Sequence, residues 1–297
     1  MKSTKRVLSI QSHVVSGYVG NKSAVFPLQV MGFEVDAINS VQLSNHTGYK
    51  TFHGQVLNET NLMELIAGLV ENDLHYYSHL LTGYIGCPNF LQKIAEVYNI
   101  LKEKNPNLIY VCDPVMGDNK EMYVPKEMLD IYRKEILTLT DIITPNEYEL
   151  ELLTGKTITC TDDIYEAIRI LQSLGCKTVV VSSTNIEDTH LKSIGKYVNS
   201  KEYVDIYIPH IDHSFIGTGD LFASLLLLWM TLNNNNLKES MEKTVATIQA
   251  VLKRTLNYIE QANPKTPTFN KELKLVQSID DIRNPTVTIF GKTNYVK

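Results

Sequence analysis

Cysteine is sparse in this chain. There are four in 297 residues (Cys87, Cys112, Cys160 and Cys176), with no CxxC pair and no metal-like spacing. That excludes a disulfide framework and a thiolate metal site. Cys87 and Cys112 lie in apolar runs, so buried free thiols in a reducing compartment are expected. Long apolar stretches are missing too. Nothing approaches the ~18 continuous residues of a membrane span, and the basic start MKSTKRVLSIQS leads into no signal-peptide core. A cytoplasmic protein is expected, for which the sequons at Asn21, Asn45 and Asn58 carry no meaning. There is no excess of positive charge either. A net charge of −5 and a pI near 5.9 exclude broad binding to nucleic acid or anionic membranes, while allowing a local basic pocket for phosphates. Familiar motifs fail as well. No GxGxxG follows the first strand, which counts against a dinucleotide site, and no GxSxG suggests a hydrolase. GKT occurs at Gly155 to Thr157 and at Gly291 to Thr293, but Leu150 and Thr286 stand where a Walker loop needs glycine.

What is present describes a globular enzyme-sized chain. Hydrophobic residues make up 43% and charged residues 21%, enough to bury a sizeable core. Short apolar runs alternate with helical patterns, the signature of a mainly parallel sheet covered by helices. Strands are expected at Arg6 to Ile10, within Phe33 to Val41, and at Leu80 to Thr82, Leu108 to Cys112, Ile142 to Ile143 and Thr178 to Ser182. Phe90 to Lys104 and Asp162 to Gly175 show apolar residues at helical spacing, and Gly175 is a natural stop. Thr144-Pro145-Asn146-Glu147 reads as a capping box with proline at the first helical position. Ile194 to Val198 and Val204 to Ile208 read as a hairpin. A helix is expected from Asn236 to about Ala262, and an edge strand at Thr286 to Phe290. No repeat or linker divides the chain, so one domain over residues 1–297 is expected, completed by a tail over 263–297.

In such a sheet, ligands collect beyond the carboxyl ends of the strands. The segments expected there are Gln11-Ser12-His13 with the glycine-rich Ser16 to Gly20, Leu43 to Gly48, Gly83 to Gly86, Asp113 to Asp118, Thr144 to Glu149 and Ser182 to Thr184. All carry hydroxyls, amides or carboxylates. The centre of the pattern is Gly217-Thr218-Gly219-Asp220, followed by the run Leu221 to Leu232, apolar on every face. That run reads as a helix buried on all sides. Its glycine turn presents backbone N–H groups and the positive end of the helix dipole to an anion. Asp220 is placed to take a proton from a hydroxyl attacking phosphorus.

The other groups suit phosphoryl transfer, which needs an anion cradle, a divalent metal and an oriented nucleophile. Asp113, Asp118 and Glu149 are hard oxygen donors for Mg²⁺ and its waters, or else solvated loop acids. Tyr84, between glycines, is either a platform for a planar ligand or a half-buried core tyrosine. His46 is a ligand contact or a hydrogen-bonded loop histidine, and His210 and His213 read as surface residues.

The segments QSHVVSGYVGN, VQLSNHTGY, LLTGYIG, VCDPVMGD, MYVP, ITPNEYELELLTG and GTGDLF, in this order from about Ser9 to Leu232, resemble the pyridoxal kinase family of the ribokinase-like superfamily. The resemblance implies a three-layer α/β/α sandwich with a mainly parallel central sheet. It implies phosphorylation of the 5′-hydroxyl of pyridoxal, pyridoxine or pyridoxamine by ATP in vitamin B6 salvage, with Mg²⁺ or another divalent cation and K⁺ or Na⁺, by a homodimer. It assigns the base to Asp220 and the anion hole to Gly217, Thr218 and Gly219. Ser12 and Thr47 resemble contacts to the pyridine ring, Tyr84 its stacking platform, and Val19 and His46 the pocket lining. Asp113, Asp118, Asn146 and Glu149 match residues that handle ATP phosphates and metals, with Asp118 and Glu149 on the divalent ion. Asp113 and Thr144 resemble ligands of the monovalent ion, Ser182 a neighbour of it, and Ser183 and Thr218 ATP contacts. Residues 116–127 resemble a flap over the site, with Gly117 as its hinge. The chain departs from strict motifs over Asn185 to Asp205, and Ile211 to His213 falls where the family binds adenosine. Three rivals remain: a hydroxymethylpyrimidine kinase of the same superfamily, a silent vitamin-binding protein, and a nucleotide-sensing scaffold.

Overall fold

The computed structural model describes residues 5–187, 190–261 and 272–295. The chain alternates as expected: β1 (Arg6–Val14), α1 (Asn21–Val30), β2 (Glu34–Leu43), β3 (Gly54–Val56), α2 (Glu59–Glu71), β4 (His79–Thr82), α3 (Pro88–Lys104) and β5 (Ile109–Cys112). A small hairpin, β6 (Gly117–Asp118) and β7 (Glu121–Met122), precedes α4 (Glu127–Ile131). Then come β8 (Ile142–Ile143), α5 (Glu147–Thr154), α6 (Thr161–Ser173), β9 (Thr178–Glu187), β10 (His190–Tyr197) and β11 (Glu202–Pro209). The chain ends in α7 (Thr218–Leu232), α8 (Leu237–Gln261), α9 (Ile279–Arg283) and β12 (Lys292–Tyr295).

One ten-stranded sheet runs through these elements in the order β12-β11-β10-β9-β8-β5-β4-β1-β2-β3. Strands β9, β8, β5, β4, β1 and β2 are parallel, and the two margins are antiparallel. Side chains alternate between two cores. Leu8, Ile10, Leu80, Tyr110, Ile143 and Val179 meet α2 to α6 on one face. Val7, Leu81, Val111, Ile142 and Val180 meet α1, α7 and α8 on the other. Burial on both faces is why these strands are continuous apolar runs rather than alternating ones. The result is three layers, α/β/α. Helix α7 is buried without interruption from Leu221 to Met230, as its all-apolar sequence requires.

Several expected boundaries shift. β1 runs on to Val14, so Ser12 lies within the strand, at a register irregularity between Gln11 and His13. β9 extends to Glu187 because β10 pairs along it, so Ser182, Ser183 and Thr184 lie inside the strand. The cap of α5 is Asn146, paired with Glu149, and Pro145 precedes it rather than opening the helix. The edge strand is Lys292–Tyr295, not Thr286 to Phe290, because only the later segment pairs with β11. All four cysteines are free, but Cys87 is half-buried and Cys160 exposed, whereas Cys112 and Cys176 are buried. No described helix is long and apolar enough to cross a membrane.

Candidate functional site

The chain leaves β1 for β2 on one side, then returns to β4, β5, β8 and β9 on the other. The reversal makes a crevice between β1 and β4, where sheets of this kind hold ligands. Ser12 and the Gly17–Gly20 turn stand on one side of it, and Tyr84 on the other. Asp113 and Thr144 follow outward, directly after β5 and β8, and Ser182 lies next, within β9.

The first turn of α7 is uncapped. Gly217 is its N-cap, with φ 82° and no side chain bonding to the helix N–H groups, which leaves those donors for a ligand. A Cβ at Gly217 would lie 2.1 Å from the Tyr18 carbonyl oxygen, so only glycine fits. The same construction places Val19 Cγ1 at 3.4 Å from that point, beside the turn. Asp220 is half-buried in the first turn of α7, and its Oδ2 accepts a 2.7 Å bond from the Gly20 N–H. Burial pushes the Asp220 carboxyl up to about 6, against the opposing pull of the Gly20 N–H. A carboxylate in that range is a usable base near neutral pH.

A second acidic centre adjoins the turn. Asp113 is buried, and its Oδ2 would lie 3.5 Å from a Cβ at Gly219. Its carboxyl is held well above the usual range, by burial first and then by the charges of Glu149 and Asp220. The buried Thr144 hydroxyl favours the charged form of Asp113 but makes no hydrogen bond of good geometry. Glu149 accepts from the N–H of Met116 at 3.0 Å through Oε1 and from the N–H of Asn146 at 3.0 Å through Oε2. The Asn146 Oδ1 accepts from the Glu149 N–H at 2.8 Å, and its Nδ2 donates to the Gly117 carbonyl at 2.8 Å. Glu149 thus completes the α5 capping box and ties the β6 hairpin segment to that helix. Burial drives its carboxyl up to about 8, against the backbone N–H groups that hold it down and with added repulsion from Asp118.

These crowded acids yield a stability prediction. A carboxyl raised by folding keeps its proton in the native state at pH values where the unfolded chain has lost it. Native stability therefore falls as pH rises from the ordinary carboxylate range, ~4, through the raised value. Asp113→Asn removes that penalty. The ligand-free variant is expected to be more stable than the parent at pH 8, by on the order of 1 kcal/mol, with the gain shrinking at pH 5. Urea denaturation at both pH values measures it, and an equal difference at the two would contradict the assignment.

The β6–β7 hairpin connects this centre to Tyr84. Asp118 is exposed on β6, and Asn119 and Lys120 make the tight turn with φ of 50° and 64°, the hairpin conformation with both central residues left-handed. Tyr123, just after β7, has its ring centroid 6.5 Å from that of Tyr84. The residue is exposed as a whole, and its hydroxyl is raised by partial burial and then by the charges of Glu149, Asp113, Asp118 and Asp220. Tyr84 is held by its carbonyl, which accepts a 2.7 Å bond from Ser40 Oγ, and its hydroxyl would lie 3.5 Å from a Cβ at Gly86. His46 is buried after β2, and Thr47 beside it is exposed. Gly48 approaches Ile216, one residue before the α7 turn, so that loop reaches the turn. Ser182 donates through N–H and Oγ to the Pro145 carbonyl at 2.9 and 3.3 Å, and Ser183 is half-buried beside it. His210 is exposed, and His213 stacks edge-on against Phe215 at 5.0 Å.

Sequence reasoning passes over Gly20 as the Asp220 donor, Tyr123 as the ring beside Tyr84, and Glu272. Only the glycine-rich spacing hints at the first of these. A groove between α2 and α3, lined by Glu59, Met63, Ala67 and Lys93, lies outside this cluster of groups.

Residues 29–266 match the family described as phosphomethylpyrimidine kinase. The chain is 50% identical over 290 residues to a pyridoxal kinase of Arabidopsis thaliana, covering 96% of this chain and 94% of that one. It is 44% identical over 307 residues to the pyridoxal kinase of Ovis aries, covering 97% and 98%. It belongs to the pyridoxal kinase family. The pyridoxal kinase of Leishmania donovani, solved with ADP and pyridoxine, superposes with a TM-score of 0.92 at 32% identity, covering 98% of this chain and all (100%) of that chain. The three-layer architecture is accordingly the ribokinase-like fold of the pyridoxal kinases.

Proposed function

We propose that this chain transfers the terminal phosphoryl group of ATP to the 5′-hydroxyl of pyridoxal, pyridoxine or pyridoxamine. Its relatives across almost the whole chain are pyridoxal kinases, and one solved relative holds ADP together with pyridoxine. The observation within the site that carries the reading is Asp220, oriented by Gly20 N–H in the first turn of an uncapped helix. In this reading the substrate oxygen attacks the γ-phosphorus in line, its proton passes to Asp220, and the bond to the ADP oxygen breaks. The N–H groups of Gly217, Thr218 and Gly219 take up the charge on the moving group. Ser12, Thr47, His46 and Val19 hold the pyridine ring, and Tyr84 lies under it. Asn146, Ser182, Ser183 and Thr218 meet the nucleotide.

The acids fit cations. Asp113 and Glu149 are buried and mutually repelling, and the Thr144 oxygen beside Asp113 lacks a well-formed hydrogen bond. Among the described residues no three carboxylate, imidazole or thiol groups converge to hold a metal unaided. That suits Mg²⁺, which keeps waters and takes phosphate oxygens alongside one or two carboxylates. Asp118 and Glu149 would hold it, and Asp113 and Thr144 a K⁺ or Na⁺ ion. Bound there, the cations neutralise phosphate charge. A cytoplasmic homodimer completes the proposal, with one domain that residues 272–295 help to finish by adding β12 to the sheet.

The test is an assay of the purified protein with Mg-ATP, K⁺ and pyridoxal, following pyridoxal phosphate by absorbance. A substrate-dependent rise is expected. Transfer to hydroxymethylpyrimidine with none to pyridoxal would favour the activity for which the matched family is described. Tight pyridoxal binding without transfer would point to a carrier.

A further inference from the structure

Glu272 is remote in sequence from every group above, yet it is buried among them. Its backbone bridges in parallel to Ile216, which immediately precedes the α7 turn. Its Oε2 accepts a 2.9 Å bond from the Tyr18 N–H, and its Oε1 accepts a 3.2 Å bond from the Tyr49 hydroxyl. The same Oε1 lies 3.3 Å from His46 Nε2, without a well-aligned hydrogen bond. His46 Nδ1 accepts from the Gly48 N–H at 3.0 Å, so the neutral ring carries its proton on Nε2, toward Glu272. A Cβ at Gly17 would lie 2.4 Å from Oε1, so the glycine turn closes directly on this carboxylate. Burial pushes the Glu272 carboxyl up, but His46, the Tyr18 N–H and the Tyr49 hydroxyl outweigh it and hold the group below its usual range.

The Tyr18–Gly20 loop is therefore gripped at both ends, by Glu272 at Tyr18 and by Asp220 at Gly20. We propose that Glu272 is a positioning residue for the alcohol substrate. One buried carboxylate fixes the spacing between the Tyr18–Gly20 loop, the His46–Tyr49 loop and the α7 turn, and so shapes the mouth in which the ring is held. The proposal rests on the phosphotransfer reading. The carboxylate itself contacts Tyr18, Tyr49 and His46, and Glu272 reaches the α7 turn only through its backbone bridge to Ile216, so loss of the charge acts first on the vitamer.

The test pairs Glu272→Gln, which keeps size but removes the charge, with Tyr49→Phe and the double variant. Glu272→Gln is expected to raise the KM for pyridoxal ~10-fold while the KM for ATP stays within ~2-fold, as for a lost charged hydrogen bond on one substrate alone. Tyr49→Phe moves the same constant less, and the double variant falls short of the product, since both cut one network. Hydrogen exchange in Glu272→Gln speeds up over residues 16–20 and 45–49 while the strands β4 and β5 keep their protection. A lowered Tm with unchanged KM for pyridoxal, or exchange that rises evenly across the chain, would overturn the positioning role. Should the parent fail to phosphorylate pyridoxal, the functional reading falls, and the exchange pattern then decides alone whether Glu272 organises these loops.

Discussion

Asp220→Asn should fold like the parent, bind ATP with unchanged affinity, and turn over pyridoxal at least ~10²-fold more slowly, the usual share of a general base. The substitution keeps the volume and an oxygen for the Gly20 N–H, so the loop it anchors stays in place. What it removes is the group that accepts the proton. The pH profile separates that loss from a loss of packing. Because burial raises Asp220 to about 6, its base form is lost as pH falls through that value. In the parent, kcat/KM should therefore drop ~10-fold per pH unit below about 6. In the variant the remaining rate should lose that limb. Isothermal titration with ATP and steady-state kinetics between pH 5 and pH 8 measure both. Near-normal turnover in a folded variant, or an acid limb that survives the substitution, would remove Asp220 from the chemistry.

Much of this site is legible in the residues, and the exceptions have physical causes. Helix α7 announces itself because Leu221 to Met230 leaves no polar face for solvent. The polar segments after the strands gather at one edge because parallel strands present all their carboxyl ends together. Side-chain type does not reveal how far a strand runs. Ser182 to Thr184 join β9 because β10 supplies main-chain partners on the next strand, an interaction without a local signal. The last edge strand illustrates the same point. Thr286 to Phe290 alternates as well as any strand, but Lys292–Tyr295 is the segment that pairs with β11. Its entry is fixed by Glu242, which accepts the Gly291 N–H at 2.9 Å, and its end by the Tyr295 hydroxyl, which donates to Glu202 at 2.7 Å. Helix α1 hides behind Pro27 in its interior and a glycine, not a polar cap, before it. Glu272 is the extreme case: its partners Tyr18 and Tyr49 precede it by more than two hundred positions, and only the fold brings them within reach.

Gly217→Ala is the other large effect. The residue holds φ 82°, where an L side chain is strained by roughly 1–2 kcal/mol. Strain alone would lower stability and leave catalysis intact. The contact is what matters, because the added methyl would sit 2.1 Å from the Tyr18 carbonyl, a backbone atom that cannot swing away. Either the α7 turn or the Tyr18–Gly20 loop must move. A moved turn misaims the N–H groups of Thr218 and Gly219, and a moved loop withdraws Gly20 from Asp220. Losing one aligned donor at a developing charge typically lowers turnover ~10²- to 10³-fold. A fall of at least ~10²-fold in kcat is therefore expected, together with a lower Tm. Gly32→Ala is the control. That glycine has φ 81°, but a Cβ there meets nothing within 4 Å. It carries the same backbone strain without the collision, so Tm should fall while kcat holds. Equal losses of kcat in the two variants would mean that strain, not the geometry of the turn, limits the rate. A Gly217→Ala enzyme with normal kcat would mean that the turn does not hold the transferring phosphoryl group.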